Sequence, residues 1–289
     1  MKANVRIDIW FWTMLRGVFP PSLILVCSLT LNGAALDDPF AVVFIDHKTE
    51  ETYGGFPLDR ALLAKGIGEI KKHKPRGIII KFFLDLPKDP ASDRALADSF
   101  DGVPVMLEAR LEDSVAKPNS LPHRFALKTP LARRSTALSG RSGWLPLEIF
   151  SARAADIGFV DFSDPEKVPI IEQYQGAAVK SLYLCAVELA LGQTAQIFPG
   201  KRLVIGKQAV ALTEESEISV TMPAKDELDY TPFHDVLDGK VKLHFFENKV
   251  VILGYDGTKI HSINTSSGKI KAHRFFCYGL ASLYRKVKG

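Results

Sequence analysis

Two apolar segments separated by an amphipathic helix pattern constrain the fold of this chain more than any other feature. Residues 40–46 (FAVVFID) and 77–85 (GIIIKFFLD) are continuous apolar runs, which are typical of strands buried on both faces of a sheet. Asp59 suits the start of the intervening helix, and Pro75 ends it. Five apolar residues fall on one face of this helix: Leu58, Leu62, Leu63, Ile67 and Ile70. This βαβ pattern predicts two parallel strands joined by a crossover helix.

Further patterns extend this unit into one α/β domain. Additional strands are predicted at residues 103–109, 158–162, 168–174, 202–205, 209–212, 218–222 and 249–254. Asp89 and Pro90 start a short helix, and a largely buried helix is predicted over residues 177–191. The last helix carries an apolar stripe of Ala272, Phe276, Leu280, Leu283 and Val287. We therefore predict a single α/β domain with a mainly parallel or mixed sheet covered by helices on both faces.

The segment from residue 111 to residue 157 departs from this regular pattern. It is rich in proline and glycine, so it is either a long lid or a surface insertion. It also carries Arg133, Arg134 and Arg141 close together. These arginines either face phosphate or anionic lipid, or belong to a solvated loop.

The N-terminal 35 residues have the layout of an export segment. Lys2, Arg6 and Arg16 precede an apolar run over residues 18–31, and small residues follow up to Ala35. The segment is either a signal peptide cleaved after Ala35 or an uncleaved membrane anchor, and the sequence slightly favours the anchor. Either way, we predict that residues 36–289 form a domain on the periplasmic or extracytoplasmic face of the inner membrane.

Composition excludes several classes of protein. Charged residues make up 24% of the chain and the net charge is only +4, which argues against both global disorder and nucleic-acid binding. The three cysteines and seven histidines show no metal-ligand spacing, and no GxSxG motif occurs. We therefore predict no metal, no cofactor and no catalytic residue. Cys185 and Cys277 are either two buried thiols or a disulfide.

Three charged residues near the ends of the first two strands are candidates for a binding site. Asp46 and Asp85 end predicted parallel strands, whose carboxyl ends form the usual ligand crevice of an open α/β sheet. They either point into one pocket or cap the segments that follow them. Lys81 lies among apolar residues, so it either pairs with a carboxylate such as Asp46 or extends its amine to water.

A glycine-rich turn and a polar loop follow the strand at residues 249–254. Such a turn can present backbone N–H groups to an anion, although its spacing matches neither common nucleotide-binding motif. The loop is either a ligand rim or an ordinary surface loop. Its candidate ligand-binding residues are Gly254, Asp256, Thr258, His261 and Asn264.

The order of these features resembles the CHASE type-2 domain, a sensory module of bacterial receptor kinases and of adenylate or diguanylate cyclases. The most specific match is residues 248–254, NKVVILG, similar to the family's Gly-Lys-x-Val-x-Ile-Gly. Further segments with a counterpart in the family are residues 41–46, 56–60, 77–83, 158–160, 231–239 and 272–273. The chain departs from the family where Lys81 replaces the usual Asp, and where residues 164–169 lack the expected Gly and Arg.

The resemblance implies a non-enzymatic extracytoplasmic sensory domain that binds an unknown small ligand. Family members usually continue into membrane helices and an output domain, whereas this sequence ends at Gly289. We therefore expect the signal to pass through a separate membrane kinase or cyclase. Two alternatives stay open: a protein-interaction domain of an envelope complex, and an enzyme. An enzyme needs at least two carboxylates and a base in one cleft with shifted pKa values.

Overall fold

The computed structural model describes residues 38–127, 139–223 and 225–289. Seven α-helices occur in this part of the chain: α1 (His47–Tyr53), α2 (Arg60–Lys72), α3 (Pro90–Asp98), α4 (Glu148–Ser151), α5 (Leu182–Leu191), α6 (Phe233–Leu237) and α7 (Ala272–Lys288). A 3-10 helix spans His123–Phe125. None of the helices within the described ranges is long and apolar enough to cross a bilayer.

The same residues form seventeen short strands. In chain order they are β1 (Phe40–Ile45), β2 (Gly77–Lys81), β3 (Val105–Ala109), β4 (Ala126–Leu127), β5 (Ser139–Gly140), β6 (Asp156–Phe159), β7 (Lys167–Pro169), β8 (Ile171–Tyr174), β9 (Ala177–Lys180), β10 (Gln196–Phe198), β11 (Arg202–Ile205), β12 (Gln208–Ala211), β13 (Glu217–Ser219), β14 (Thr231–Pro232), β15 (Val250–Tyr255), β16 (Ser262–Thr265) and β17 (Gly268–Lys271).

Six of these strands form a parallel sheet at the centre of the domain. Their order is β14-β1-β15-β2-β3-β6, and every pairing is parallel. Ile252 of β15 pairs with Val42 of β1 on one side and with Ile79 of β2 on the other. The predicted βαβ unit is therefore confirmed, with β15 inserted between its two strands. The α/β class with a mainly parallel sheet is confirmed as well.

Helices cover both faces of this sheet, because successive side chains of a buried strand point to opposite faces. On one face, Val42, Phe44 and Ile79 belong to a core cluster with residues of α5 and α7. On the other face, Val43 and Ile45 belong to a second cluster with residues of α2, α3 and α6. The predicted coverage by helices on both faces is confirmed.

Close backbone packing fixes α5 against the sheet. A Cβ atom at Gly158 of β6 would lie 2.4 Å from the Cα atom of Leu182, so only glycine fits at this contact. Cys185 on α5 and Cys277 on α7 are buried free thiols, which decides between the two alternatives for this pair.

Several element boundaries differ from the sequence prediction. Residues 177–191 are not one helix, because Ala177–Lys180 pairs antiparallel with β8 and the helix begins only after Ser181. The Ser181 side chain caps α5 by accepting a hydrogen bond from the Leu184 N–H at 3.3 Å. Residues 168–174 form parts of two strands, and β2 ends at Lys81 instead of continuing to residue 85.

The predicted starts of α2 and α3 are confirmed. Asp59 caps α2 by accepting a hydrogen bond from the Ala61 N–H at 2.7 Å. Asp89 caps α3 through the Ser92 N–H at 2.9 Å, and Pro90 occupies the first turn. The short helix α1 was not predicted.

Two predicted segments lie partly or wholly outside the described residues. The N-terminal 37 residues are one of them, so the boundary after Ala35 and the choice between signal and anchor stay predictions. Arg133 and Arg134 fall in the other, residues 128–138. Parts of the segment from 111 to 157 pack into the domain, since Phe150 of α4 is fully buried and Ser139–Gly140 pairs with β8.

Candidate functional site

A cavity of about 490 Å³ lies at the carboxyl ends of β2, β3 and β6. The first turn of α7 lines one side of it, and this volume falls within the range of about 300–1,000 Å³ that is usual for small-molecule sites. Its apolar lining is largely aromatic and includes Phe83, Trp144, Val160, Phe162, Phe275 and Phe276. Its titratable lining consists of Lys81, Glu108, Arg110, Glu112, Asp161, Tyr183, His261 and His273.

A buried ion pair lies at the base of this cavity. Ile80 pairs with Leu107 in the sheet, so the next residues, Lys81 and Glu108, lie side by side on the face covered by α7. Lys81 Nζ is 2.7 Å from Glu108 Oε1, and the two side chains are only 6% and 3% exposed. The Lys81 amine also lies 5.3 Å from the centre of the Phe276 ring.

The Glu108 carboxylate is only half satisfied by this pair. Its Oε2 atom is buried and has no hydrogen-bond partner among the described residues. Burial raises the pKa of Glu108 above its ordinary value, and the nearby Lys81 opposes that rise. Lys81 therefore pairs with a carboxylate, as the first sequence-based alternative predicts, but its partner is Glu108 on the neighbouring strand instead of Asp46.

A second charged group forms another wall of the cavity. Asp161 accepts hydrogen bonds from the backbone N–H groups of Leu111 at 2.7 Å and Glu112 at 3.2 Å. Burial raises the pKa of Asp161, while these hydrogen bonds and the Arg110 charge lower it. Arg110 also donates a hydrogen bond to the Glu112 carboxylate. Its guanidinium carbon lies over the Trp144 ring, 5.2 Å from the ring centre. The charges of this wall are therefore largely compensated within the protein.

His273, in the first turn of α7, contributes a neutral imidazole. Its Nδ1 atom accepts a hydrogen bond from the Tyr255 N–H at 2.8 Å. Burial, with the Lys81 charge adding to it, lowers the pKa of His273 well below its ordinary value. The ring is consequently uncharged at neutral pH, and its remaining proton is on Nε2. Gly254 permits this arrangement, because a Cβ atom there would lie 3.3 Å from His273 Nδ1 and 2.9 Å from Phe44.

Two of the residues predicted from sequence line the cavity. Lys81 contributes at its base, and His261 contributes from an exposed position on the loop before β16. The other six do not line it: Asp46, Asp85, Gly254, Asp256, Thr258 and Asn264.

The two aspartates expected to share a pocket have separate surroundings. Asp46 caps α1, accepting hydrogen bonds from the Thr49 N–H at 2.9 Å and the Thr49 hydroxyl at 2.7 Å. Its capping alternative is confirmed. Asp85 follows the end of β2 and acts electrostatically on Arg60 of α2, a helix that packs on the opposite face of the sheet. Neither carboxylate lines the cavity beside α7, and a pocket shared by both stays a prediction.

The remaining loop residues have structural partners or lie on a hairpin. Asp256 is buried and receives two hydrogen bonds from Arg274, Nε to Oδ1 at 3.1 Å and Nη2 to Oδ2 at 2.9 Å. The Thr258 N–H donates to Glu50 Oε2 at 3.3 Å. Asn264 lies in β16, which pairs antiparallel with β17.

Sequence reasoning missed Glu108, Asp161, His273 and Trp144. Glu108 left a recognisable signal, because it is a lone carboxylate in a predicted buried strand, as Lys81 is a lone cation in the neighbouring one. Trp144 lies in a loop, Asp161 follows the end of a strand, and His273 lies at the start of a helix. At these positions no sequence pattern distinguishes a residue that lines a cavity from one on the outer surface. Among the residues that the structure describes, no cluster of His, Cys, Asp or Glu side chains has the geometry of a metal site.

Comparison with known proteins adds one match. A family model described as the CHASE2 domain matches residues 10–271, most of the chain. No curated protein and no solved structure matched the sequence.

Proposed function

Because the chain belongs to the CHASE2 domain family of extracytoplasmic sensory domains, we propose that it is a non-enzymatic sensor that binds a small ligand in the cavity beside α7. The observation that carries this proposal is the position of the cavity. It lies at the carboxyl ends of parallel strands, where open α/β sheets usually bind ligands. A concave, partly polar site of this volume favours a small ligand over a flat protein interface.

A ligand in this cavity would act directly on α7. Four residues of that helix line the cavity: Ala272, His273, Phe275 and Phe276. The same helix is otherwise buried against α5 and the sheet, so a shift of its first turn is transmitted along a rigid element. We propose that this helix carries the response to ligand binding.

The proposal places the domain on the periplasmic face of the inner membrane, exported by residues 1–35, with its output through a membrane kinase or cyclase. CHASE2 domains typically sit in receptors with such outputs.

A fusion of alkaline phosphatase after Gly289 tests the location, because that enzyme is active only outside the cytoplasm. Phosphatase activity is expected, and N-terminal sequencing of the product decides between cleavage after Ala35 and an anchor. An inactive phosphatase fusion with a fluorescent cytoplasmic counterpart would contradict export.

Ligand binding is tested by thermal unfolding of the full 289-residue chain against a library of small metabolites. A ligand at one hundred times its Kd stabilises a protein by about 2.7 kcal/mol, which raises Tm by several degrees for a domain of this size. A Val160→Phe variant fills part of the cavity and should abolish the shift. The matched control is Val115→Phe, at a residue that is 39% exposed and outside the cavity lining. No stabilising compound, or equal stabilisation of the Val160→Phe variant, would contradict binding at this site.

One observation favours a second candidate, an enzyme. Glu108, Asp161 and His273 bring two carboxylates and a base into one cleft, and all three have shifted pKa values. Against catalysis, Glu108 is bound to Lys81, while Asp161 and His273 Nδ1 are occupied by backbone N–H groups. The two candidates are separated by incubating a bound compound with the protein and recovering it for mass spectrometry. A sensor returns the compound unchanged, whereas turnover would establish an enzyme.

A further inference from the structure

We propose that the ligand is an α-amino acid with an apolar or aromatic side chain, bound with its ammonium group on Glu108 and its carboxylate facing Lys81 and the first turn of α7. This inference rests on the proposed function, since it names the chemical class that the sensor cavity accepts. Its basis is a buried acceptor without a partner and a set of donors, all on residues that line the same aromatic cavity.

The acceptor is Glu108 Oε2. The Glu108 side chain is 3% exposed, its other oxygen is held by Lys81 at 2.7 Å, and Oε2 has no partner among the described residues. A buried carboxylate oxygen without a hydrogen bond is costly, so a ligand that donates to it recovers that cost. An ammonium group suits this atom best, because it supplies both a donor and a compensating charge.

The donors belong to residues that line the same cavity. Lys81 Nζ has three N–H groups and a single hydrogen-bonded acceptor among the described residues, Glu108 Oε1. His273 Nε2 carries a proton, since Nδ1 accepts from the Tyr255 backbone. The helix α7 begins after Lys271 without any side-chain cap; the Ala272 N–H donates to the His261 carbonyl at 3.0 Å, and the positive end of the helix dipole favours an anion near the N–H groups that follow. These three features together fit a carboxylate.

A zwitterion brings an ammonium group to the acceptor and a carboxylate to the donors, and it adds no net charge to the buried site. Three carboxylates and two cations already line the cavity, so a phosphate-bearing ligand would have to overcome net negative charge. The Arg110 charge is not free to offset this, because it is bound to Glu112 and close to Asp161. In a ligand with one ammonium and one carboxylate, the ammonium lies next to Glu108 and the carboxylate next to Lys81, so each charge of the buried pair meets an opposite charge.

The remaining lining fits the side chain of such a ligand. Phe83 and Trp144 pack edge to face with ring centres 4.9 Å apart, and Phe162 and Phe275 pack with ring centres 5.0 Å apart. These two aromatic pairs offer apolar surface to an aliphatic or aromatic group.

The inference is tested by calorimetric titration of the ligand-free full chain with L-phenylalanine, L-leucine, phenethylamine and 3-phenylpropionate. The last two lack the carboxylate and the amine, respectively. We expect at least one of the amino acids to bind, and each truncated compound to bind at least tenfold more weakly than L-phenylalanine. Equal binding of phenethylamine would show an organic-cation site, and equal binding of 3-phenylpropionate would show an anion site. Either result overturns the inference.

Substitutions of the cavity residues test which side chains contact the bound amino acid. Glu108→Gln should weaken L-phenylalanine binding at least tenfold, whereas Glu51→Gln, at a carboxylate that is 64% exposed and outside the cavity lining, should change it less than threefold. If Glu108→Gln does not fold, the double variant Lys81→Met, Glu108→Met removes both buried charges at similar volume and should not bind the amino acid. Retained binding by either Glu108 variant would overturn the inference.

The same data separate this inference from the proposed function. If no amino acid binds but another class of compound stabilises the chain and is excluded by Val160→Phe, the sensor function stands and the amino-acid assignment is wrong. If no compound of any class binds, the proposed function itself is contradicted.

Discussion

Replacing Lys81 by methionine should destabilise the domain in a pH-dependent way. The substitution keeps the length and much of the apolar surface of the side chain but removes the charge 2.7 Å from Glu108 Oε1. The two side chains are only 6% and 3% exposed, so water compensates poorly for the lost partner. Removing one member of a buried ion pair typically costs about 3–5 kcal/mol, a large part of the roughly 5–15 kcal/mol that stabilises a natural domain.

Proton uptake by Glu108 sets how this cost depends on pH. Burial already raises the pKa of Glu108 and the Lys81 charge opposes the rise, so the pKa rises further in the variant. The unfolded chain has an ordinary glutamate pKa of about 4.3. Between that value and the raised pKa of the folded variant, the folded state holds a proton that the unfolded state releases. The free energy of unfolding therefore falls as pH rises through this window, by up to about 1.4 kcal/mol per pH unit.

Urea unfolding followed by circular dichroism from pH 4.5 to pH 8 measures this difference between variant and parent. The matched control is Lys72→Met, which removes a surface pair: Lys72 Nζ is 2.6 Å from Glu69 Oε2, but its side chain is 67% exposed. We expect the control to cost less than about 1 kcal/mol and to show no comparable pH dependence. The double variant Lys81→Met, Glu108→Met should be within about 1 kcal/mol of the parent or more stable.

Two results would refute this reasoning. One is a loss of stability in Lys81→Met no greater than in Lys72→Met, which would mean that the pair is solvated in solution. The other is a loss that is the same at pH 5 and pH 8, which would mean that Glu108 does not take up a proton when its partner is removed.

Three further predictions follow from the packing. Arg274→Met removes both hydrogen bonds to the buried carboxylate of Asp256 and leaves it only the Lys271 amine, 3.5 Å away, so it should cost about 1–3 kcal/mol in urea unfolding at pH 7; an unchanged midpoint would contradict this. Gly158→Ala places a Cβ atom 2.4 Å from the backbone of α5 and should cost at least about 1–3 kcal/mol, seen as a lower Tm, and a parent-like Tm would show that α5 can shift. Burial raises the pKa of Cys277 to about 12, so peptide mapping after iodoacetamide treatment at pH 8 should find this thiol modified only in unfolded protein.

The fold was predictable where local pattern and burial agree. The apolar runs that became β1, β2 and β15 are too continuous to face water on either side, which predicts strands in a covered parallel sheet. Asp59 and Asp89 marked the helix starts, because a carboxylate at that position accepts a backbone N–H. The prediction failed at residues 177–180, whose apolar pattern fits a helix equally well. Pairing with β8, which only the tertiary structure provides, made that segment a strand.

The candidate site was predictable only in part. The prediction that a ligand crevice forms at the strand carboxyl ends follows from parallel topology, and a cavity is found at that end of the sheet. Its location along that edge depends on strand order. Because β15 lies between β1 and β2, Asp46 is two strands away from Lys81, and the neighbour of Lys81 is Glu108 on β3. Apolar periodicity carries no information about that order.

The sequence by itself determined the buried strands, the amphipathic helices and membership of a sensory-domain family, because these depend on residue type and local spacing. Only the tertiary structure decided which charges meet. Lys81 and Glu108 are 27 positions apart, and Tyr255 and His273 are 18 apart. Their contacts arise from the register of neighbouring strands and from the approach of α7 over Gly254. The physical reason is that a buried charge is stable only beside a specific partner, and the packing of distant segments selects that partner.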